Sequence, residues 1–369
     1  MNNKPECGEY EIKTAVSTKK MCKGRKNNLK KYECEEIVMK TYSCFEKPMT
    51  VFGVPFFEEK KVFERVPDDV RKKIERIGFL GKRTPGARMG FRTDATSFTV
   101  RIKLSSLNPD IGMSIFACQS VNVMIGDRKN SRFAGLVSPP DYNTKEFEKT
   151  IYKNHEMEEV TLWLPRNEII ESVEVDIDEN ATVEEATPYT YKNAVFYGSS
   201  ITEGGCCCNV TNNYVALLSR WLDMDFYNLG FSGSARGELE MADYINTFDM
   251  SLFVMDYDHN APNVEHLKAT HEPFFKRIRE KHPDVPVLFL TRPNFDHTPS
   301  GKERRDVVLQ TYLNAKNSGD NNVYFVDGET FFGSEDRQLC TIDMTHPNDL
   351  GFYRMAKTIL PVMQEILDK

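Results

Sequence analysis

The chemistry-bearing residues that stand out lie in the C-terminal half. Ser200 sits in YGSSITEGGCCC (197–208), just past a predicted strand. A serine hydroxyl attacks a carbonyl only when a base removes its proton. DMTHPNDLG (343–351) offers an acid and a histidine three residues apart. Asp343 can hold His346 in the tautomer that lets it act as base on Ser200. Acyl transfer also needs donors for the developing oxyanion. NLGFSGSARGE (228–238) offers the backbone N–H of Gly233, and DYDHNAP (256–262) offers the side-chain amide of Asn260. With the N–H of Ser200 these make three donors.

Other readings of these residues compete. Ser199 is the alternative nucleophile. Cys206, Cys207 and Cys208 raise a thiol, and the glycines at 198, 204 and 205 raise a phosphate-cradling loop. No G-K-[ST] follows, so a phosphate loop is set aside. His259, beside Asn260, reads first as a packing or hydrogen-bonding residue. Arg292 and Asn294 lie in TRPNFDHTPSGK (291–302), which also holds His297. They can contact substrate hydroxyls or cap and pack the loop. Asp256 and Asp258 could bind a cation, but no set of His, Asp and Glu has metal-ligand spacing. No metal or other cofactor is expected. The cysteine trio and Cys340 belong to loops that should border one cleft, so one of Cys206–Cys208 could approach Cys340 to disulfide distance. The competing reading is that these thiols simply pack the loop.

These residues need elements to position them. After residue 190, five apolar runs alternate with helical patterns. NAVFYG (193–198), DFYNLG (225–230), MSLFVMDY (250–257), VPVLFLT (285–291) and NVYFVD (322–327) are the strands. Each is followed by a helix, the last being LGFYRMAKTILPVMQEILDK (350–369). This alternation predicts a parallel, doubly wound α/β sheet with its functional loops beyond the strands' carboxyl ends. Before residue 190 the pattern is β-rich. SFTVRIKL (97–104), SVNVMIG (120–126), RFAGLVS (132–138), EVTLWLP (159–165) and SVEVDI (172–177) are spaced as in a sandwich. DDVRKKIERIGFLG (68–81) is a candidate helix with a glycine stop. Trp163, inside a strand pattern, is expected in the core. We therefore expect a β-sandwich domain over 1–190, least clear over 1–50, and a catalytic α/β domain over 191–369.

The whole chain has 369 residues and a net charge of −7. That balance gives no electrostatic reason to expect nucleic acid or an anionic membrane as partner. The basic run STKKMCKGRKNNLKK (17–31) reads as a solvated turn rather than a polyanion site. The N-terminus has no apolar stretch after a basic start, and no apolar run is long enough to span a bilayer, so a cytoplasmic location is expected. The nine cysteines are then expected to be mostly free thiols.

GSSIT, NLGFSG, DYDHNAP and DMTHPND, in this order, resemble the four blocks of the SGNH (GDSL-like) hydrolases. The resemblance covers roughly 190–369. It implies a three-layer α/β/α domain with a five-stranded parallel sheet, and the roles given above to Ser200, Gly233, Asn260, Asp343 and His346. Two positions depart from the pattern. Ser199 replaces the aspartate of the usual GDS, which is not part of the triad. In the third block only Asn260 remains of G-x-N-D, which puts the surroundings of the acyl pocket in doubt. The β-rich half looks like the jelly-roll domain of some bacterial carbohydrate esterases. That implies a serine esterase removing short acyl groups, O-acetyl first, from a sugar or oligosaccharide. The rivals are a lipid-directed acylhydrolase or thioesterase of the same family, and a non-catalytic carbohydrate-binding protein. Self-association is left open.

Overall fold

A computed structural model describes residues 37–108, 110, 112–293 and 299–369, with the backbone of 16–19. Most of the basic run 17–31, and Asn294 and His297, lie outside the described residues. In the N-terminal half the strands are β1 (Val16–Lys19), β2 (Ile37–Ser43), β3 (Thr50–Phe52), β4 (Arg88–Thr93), β5 (Ser97–Leu104), β6 (Val121–Ile125), β7 (Arg132–Val137), β8 (Glu146–Tyr152), β9 (Glu158–Trp163), β10 (Ile170–Asp178) and β11 (Val183–Glu185). They form two antiparallel sheets, ordered β1-β2-β10-β5-β8 and β11-β4-β9-β6-β7, with β3 beside β4. Alternation drives the packing. Phe98, Val100, Ile102 and Leu104 of β5 share a core with Met89 and Phe91 of β4 and with Val121, Val123 and Ile125 of β6.

The C-terminal half is a parallel sheet of β12 (Tyr191–Gly198), β13 (Met224–Gly230), β14 (Leu252–Asp256), β15 (Val287–Leu290) and β16 (Val323–Val326), ordered β13-β12-β14-β15-β16. Its helices cover both faces, so both strand faces are apolar. Ala194, Phe196, Leu252 and Val254 pack in one core with the helices Tyr214–Leu222 and Asp349–Leu367. Val195, Tyr197, Phe253 and Met255 pack on the other side with Leu239–Ile245, Val264–Lys281 and Gly301–Asn317. The chain leaves β12 toward β13 and then returns to β12's other side as β14. Beyond the carboxyl ends of β12 and β14 lies the topological switch point, where such sheets open a crevice.

The helix expected over 68–81 is broken. It runs as an α-helix only over Asp68–Lys73 and continues as two 3-10 turns at Glu75–Ile77 and Leu80–Lys82. Ile74 leaves the helical region at φ −118°, ψ 72°. Val66, Val70, Ile74 and Ile77 then all pack into the core of the parallel sheet rather than that of the sandwich. Tertiary burial thus overrides a continuous amphipathic pattern. Trp163, 2% exposed, packs on Phe226 of β13, so the core position expected for it lies between the two halves.

Candidate active site

Ser200 opens a one-turn helix, Ser200–Glu203, directly after β12. The turn is tight enough to demand glycine at its entry. A Cβ on Gly198 would stand 2.0 Å from Thr202 Oγ1 and 2.4 Å from the carbonyl oxygen of Asp256. Ser199 is spent locally: its Oγ accepts from Ile201 N at 3.1 Å as the helix cap. Its neighbour Ser200 instead places Oγ 2.9 Å from His346 Nε2.

His346 is held by a compact loop. Its Nδ1 lies 2.7 Å from Asp343 Oδ2, while Asp343 Oδ1 accepts the amides of His346 at 2.7 Å and Thr345 at 3.0 Å. Burial pushes the Asp343 carboxyl up, but these amide and imidazole donors outweigh it and hold it below the usual carboxylate value. Asp343 is therefore an acceptor that fixes the ring and keeps Nε2 toward Ser200. The loop closes through Ile342 N to His346 O at 3.1 Å and Asn348 N to Cys340 O at 3.0 Å.

Hydrogen bonds tie together the segments that carry the expected oxyanion donors. Phe231 N donates to Gly198 O at 2.8 Å, and Asn260 Nδ2 donates to Phe231 O at 2.8 Å. The turn carrying Gly233 is thereby tied to the end of β12 on one side and to Asn260 on the other. Gly233 has φ +66°, and nothing lies within 4 Å of the place a Cβ would take. Asn260 Nδ2 makes this one bond among the described residues, which leaves its second proton. Among the described residues the amides of Ser200 and Gly233 donate to no backbone carbonyl.

Further residues brace this arrangement without announcing themselves in the sequence. Glu203, buried, follows Ser200 by three residues and accepts from Ser232 N at 2.9 Å and from the Ser232 hydroxyl. It lies 3.9 Å from both Arg65 and Arg166, each buried and each contributed by the N-terminal half. Asp256, at the end of β14, accepts from Thr202 Oγ1 and Tyr214 OH, both at 2.8 Å and both on Oδ2. Those bonds occupy Oδ2, and among the described residues no group of carboxylates, histidines and cysteines is arranged to hold a metal.

The cysteine trio is loop wall. Cys206 N donates to Met113 Sδ at 2.9 Å, and the Cys207 thiol donates to Gly204 O at 3.0 Å. The Cys208 amide donates to Asp349 Oδ1 at 2.8 Å. Burial raises the Cys206 thiol to about 11 and the Cys207 thiol further. Neither supplies the thiolate that a nucleophile or metal ligand must be. The bridge to Cys340 is absent: all six described cysteines are free, and Cys340 Sγ faces Arg354 at 3.5 Å. Met113, from the N-terminal half, packs on this loop through Cys206.

Of the expected substrate contacts, Arg292 donates its backbone N–H to buried Asp258 Oδ2 at 3.1 Å, and His259 Nδ1 stands 4.0 Å from Asp258 Oδ1. Arg292 feels the charge of Asp343, and His259 that of His346.

Residues 191–364 match the GDSL-like Lipase/Acylhydrolase family, and residues 41–183 match the N-terminus of SGNH-hydrolase-type esterases. The chain belongs to the GDSL-like hydrolases. Among solved structures, this GDSL-like hydrolase is similar to a protein described as a GDSL-like lipase from Bacteroides ovatus ATCC 8483. The identity is 25% and the TM-score 0.79, over 89% of this chain and 98% of that one. It shares its fold with the salicylyl-acyltransferase SsfX3 of a tetracycline biosynthetic pathway, at 21% identity and TM-score 0.74 over 89% and 97% of the chains. It also shares its fold with a family two carbohydrate esterase from Cellvibrio japonicus, at 13% identity and TM-score 0.60 over 89% and 98%. Among curated proteins none matches the sequence significantly. No helix among the described residues is long and apolar enough to cross a membrane.

Proposed function

We propose that this GDSL-like hydrolase is a serine esterase that removes short acyl groups, acetyl first, from a sugar or oligosaccharide. The observation that carries the reading is the continuous chain from Ser200 Oγ through His346 to Asp343, at 2.9 and 2.7 Å. Ser200 attacks the ester carbonyl while His346 takes its proton. The amides of Ser200 and Gly233 and the side chain of Asn260 stabilise the oxyanion. His346 then gives the proton to the leaving alcohol, and water, activated by the same histidine, releases the acid from the acyl-enzyme. The sugar class rests on the two-domain likeness to carbohydrate esterases, which is a likeness of fold.

Acetate release from acetylated xylan, acetylated mannan and simple sugar acetates tests the reading, with Ser200→Ala as control. We expect Ser200→Ala to lose at least ~10³-fold in ester hydrolysis. An unreduced rate in that variant overturns the assignment. A second reading has its own support: Leu339, Ile342 and Met344, which flank Asp343, are all exposed apolar side chains. They suit a longer acyl chain. A preference for acyl groups of about eight carbons or more on nitrophenyl esters would move the enzyme to the lipid-directed class.

A further inference from the structure

The Gly233 amide belongs to a turn that can face two ways. Ser234 N donates to Phe231 O at 2.9 Å, closing a four-residue turn with Ser232 and Gly233 at its centre. Gly233 has φ +66°, and Ser232 is not at positive φ. That combination makes the turn type II. The peptide between the two central residues carries the Gly233 N–H. Between types II and I the two dihedrals that flank this peptide change by roughly 150° or more, which turns the N–H over. The direction of the Gly233 donor is therefore set by the turn type.

The turn's closing bond does not hold that peptide, because it joins Phe231 to Ser234 across it. Gly233 is exposed, its N–H donates to no backbone carbonyl among the described residues, and nothing lies within 4 Å of its Cβ position. The hold falls on Ser232. Its N–H, at 2.9 Å, and its hydroxyl both donate to Oε2 of Glu203. Two donors of one residue on one carboxylate oxygen make charge-assisted bonds, stronger than neutral ones. Glu203 is buried and ends the one-turn helix that Ser200 opens. It also packs directly on the strand before the turn: a Cβ on Gly230 would stand 2.3 Å from Glu203 N.

A carboxylate so close to a centre that gathers negative charge would work against it unless that charge were balanced. Arg65 Nη2 and Arg166 Nη1 each stand 3.9 Å from the other oxygen, Oε1. That is too long for a hydrogen bond but well within reach of a Coulombic attraction. Glu203 thus divides its work, with Oε1 toward two buried arginines and Oε2 on Ser232. We propose that Glu203 and Ser232 are positioning residues for catalysis, which lock the 232–233 peptide in the type II orientation so that the Gly233 N–H stays aimed at the oxyanion. The inference rests on the esterase reading above.

Ser232→Ala is the variant that tests it. It removes one of the two bonds to Glu203 and leaves Glu203, Arg65 and Arg166 in place, whereas Glu203→Gln takes the carboxylate from two buried arginines. On nitrophenyl acetate we expect Ser232→Ala to lower kcat about tenfold with KM changed less than about twofold, short of the ~10²–10³-fold of an oxyanion donor lost outright. A residue that only stabilised the fold would lower the urea midpoint and leave the kcat of the folded enzyme unchanged. Combining Ser232→Ala with Gly233→Ala identifies the peptide through which Ser232 acts. Two changes that act on one peptide overlap, so the combined loss in kcat should be clearly smaller than the product of the single losses. An unchanged kcat in Ser232→Ala, or losses that multiply, overturns the assignment. Failure of the esterase reading appears elsewhere, as nitrophenyl acetate hydrolysis that survives Ser200→Ala.

Discussion

Asp256 offers a perturbation whose sign and size follow from its surroundings. It is 2% exposed at the end of β14, where it anchors, through Thr202, the helix that Ser200 opens. Burial raises its pKa from 3.8 to about 7; the nearby Asp258 adds to this, and the bonds from Thr202 and Tyr214 oppose it. The folded protein thus holds a proton that the unfolded chain releases near pH 4. Raising the pH favours the unfolded state: stability is complete below the unfolded value and is lost as pH rises through the folded one. A separation of roughly three pH units corresponds to about 4 kcal/mol in all, of which about 2.5 kcal/mol falls between pH 5 and 8. Asp256→Asn removes the titration while keeping the shape. Both bonds fall on one oxygen, so the Asn carbonyl can accept the two hydroxyls together. Urea unfolding followed by tryptophan fluorescence, in steps from pH 5 to 8, should show the stability of Asp256→Asn minus that of wild type growing by about that amount. Two curves that stay parallel across this window would refute the argument, because Asp256 would then ionise alike in both states.

Two further outcomes follow from the bracing around Ser200. Glu203→Gln should destabilise the fold by about 3–5 kcal/mol, seen as a lowered urea midpoint, because it leaves buried Arg65 and Arg166 without the carboxylate between them. A change below about 1 kcal/mol would show that the two arginines do not depend on it. Gly233→Ala meets no atom within 4 Å but must hold φ +66°, so it should cost only about 1 kcal/mol of stability. If the Gly233 amide serves the oxyanion, kcat should still fall about tenfold or more with KM little changed.

The α/β half was legible because two independent signals agreed. Apolar strands at regular intervals predicted the doubly wound sheet, and strand-end loops carried Ser200, Gly233, Asn260 and His346 in one order. The pairing of Asp343 with His346 could be read from a spacing of three residues in a turn. The sandwich was only partly legible. β8, EFEKTIY, alternates weakly because exposed Lys149 falls on the same face as buried Phe147 and Ile151, and in β4 Arg88 and Arg92 flank the core-facing Met89 and Phe91. The break in the 68–81 helix had no local signal, since it answers to the neighbouring domain's core. The cysteine trio misled by its rarity: three thiols in a row draw the eye, but the backbone turns at Gly204 and Cys206, φ +92° and +71°, explain that loop better than any thiol chemistry.

Least legible was the part the N-terminal half plays in the site. Arg65 is fully buried, and its Nη1 donates to the carbonyls of Asn228 at 2.8 Å and Gly230 at 2.7 Å, at the end of the strand that leads into the Gly233 turn. Burial lowers its pKa to about 10, against the opposing charge of Glu203. Arg88 reaches across in the same way, to Asp225 at 2.6 Å and Ser219 at 3.3 Å. Met113 receives the Cys206 amide. Without Arg65 the carbonyls of Asn228 and Gly230 would lose these donors, and without Arg65 and Arg166 the buried Glu203 would keep only its bonds from Ser232 and no opposite charge. Each contact joins residues about 90 to 165 positions apart, and an arginine in a loop carries no pattern that names its distant acceptor. The N-terminal half therefore braces the end of β13, where the chain turns toward Gly233: Arg65 spends its charge on fixing that backbone, much as Asp343 fixes the ring of His346.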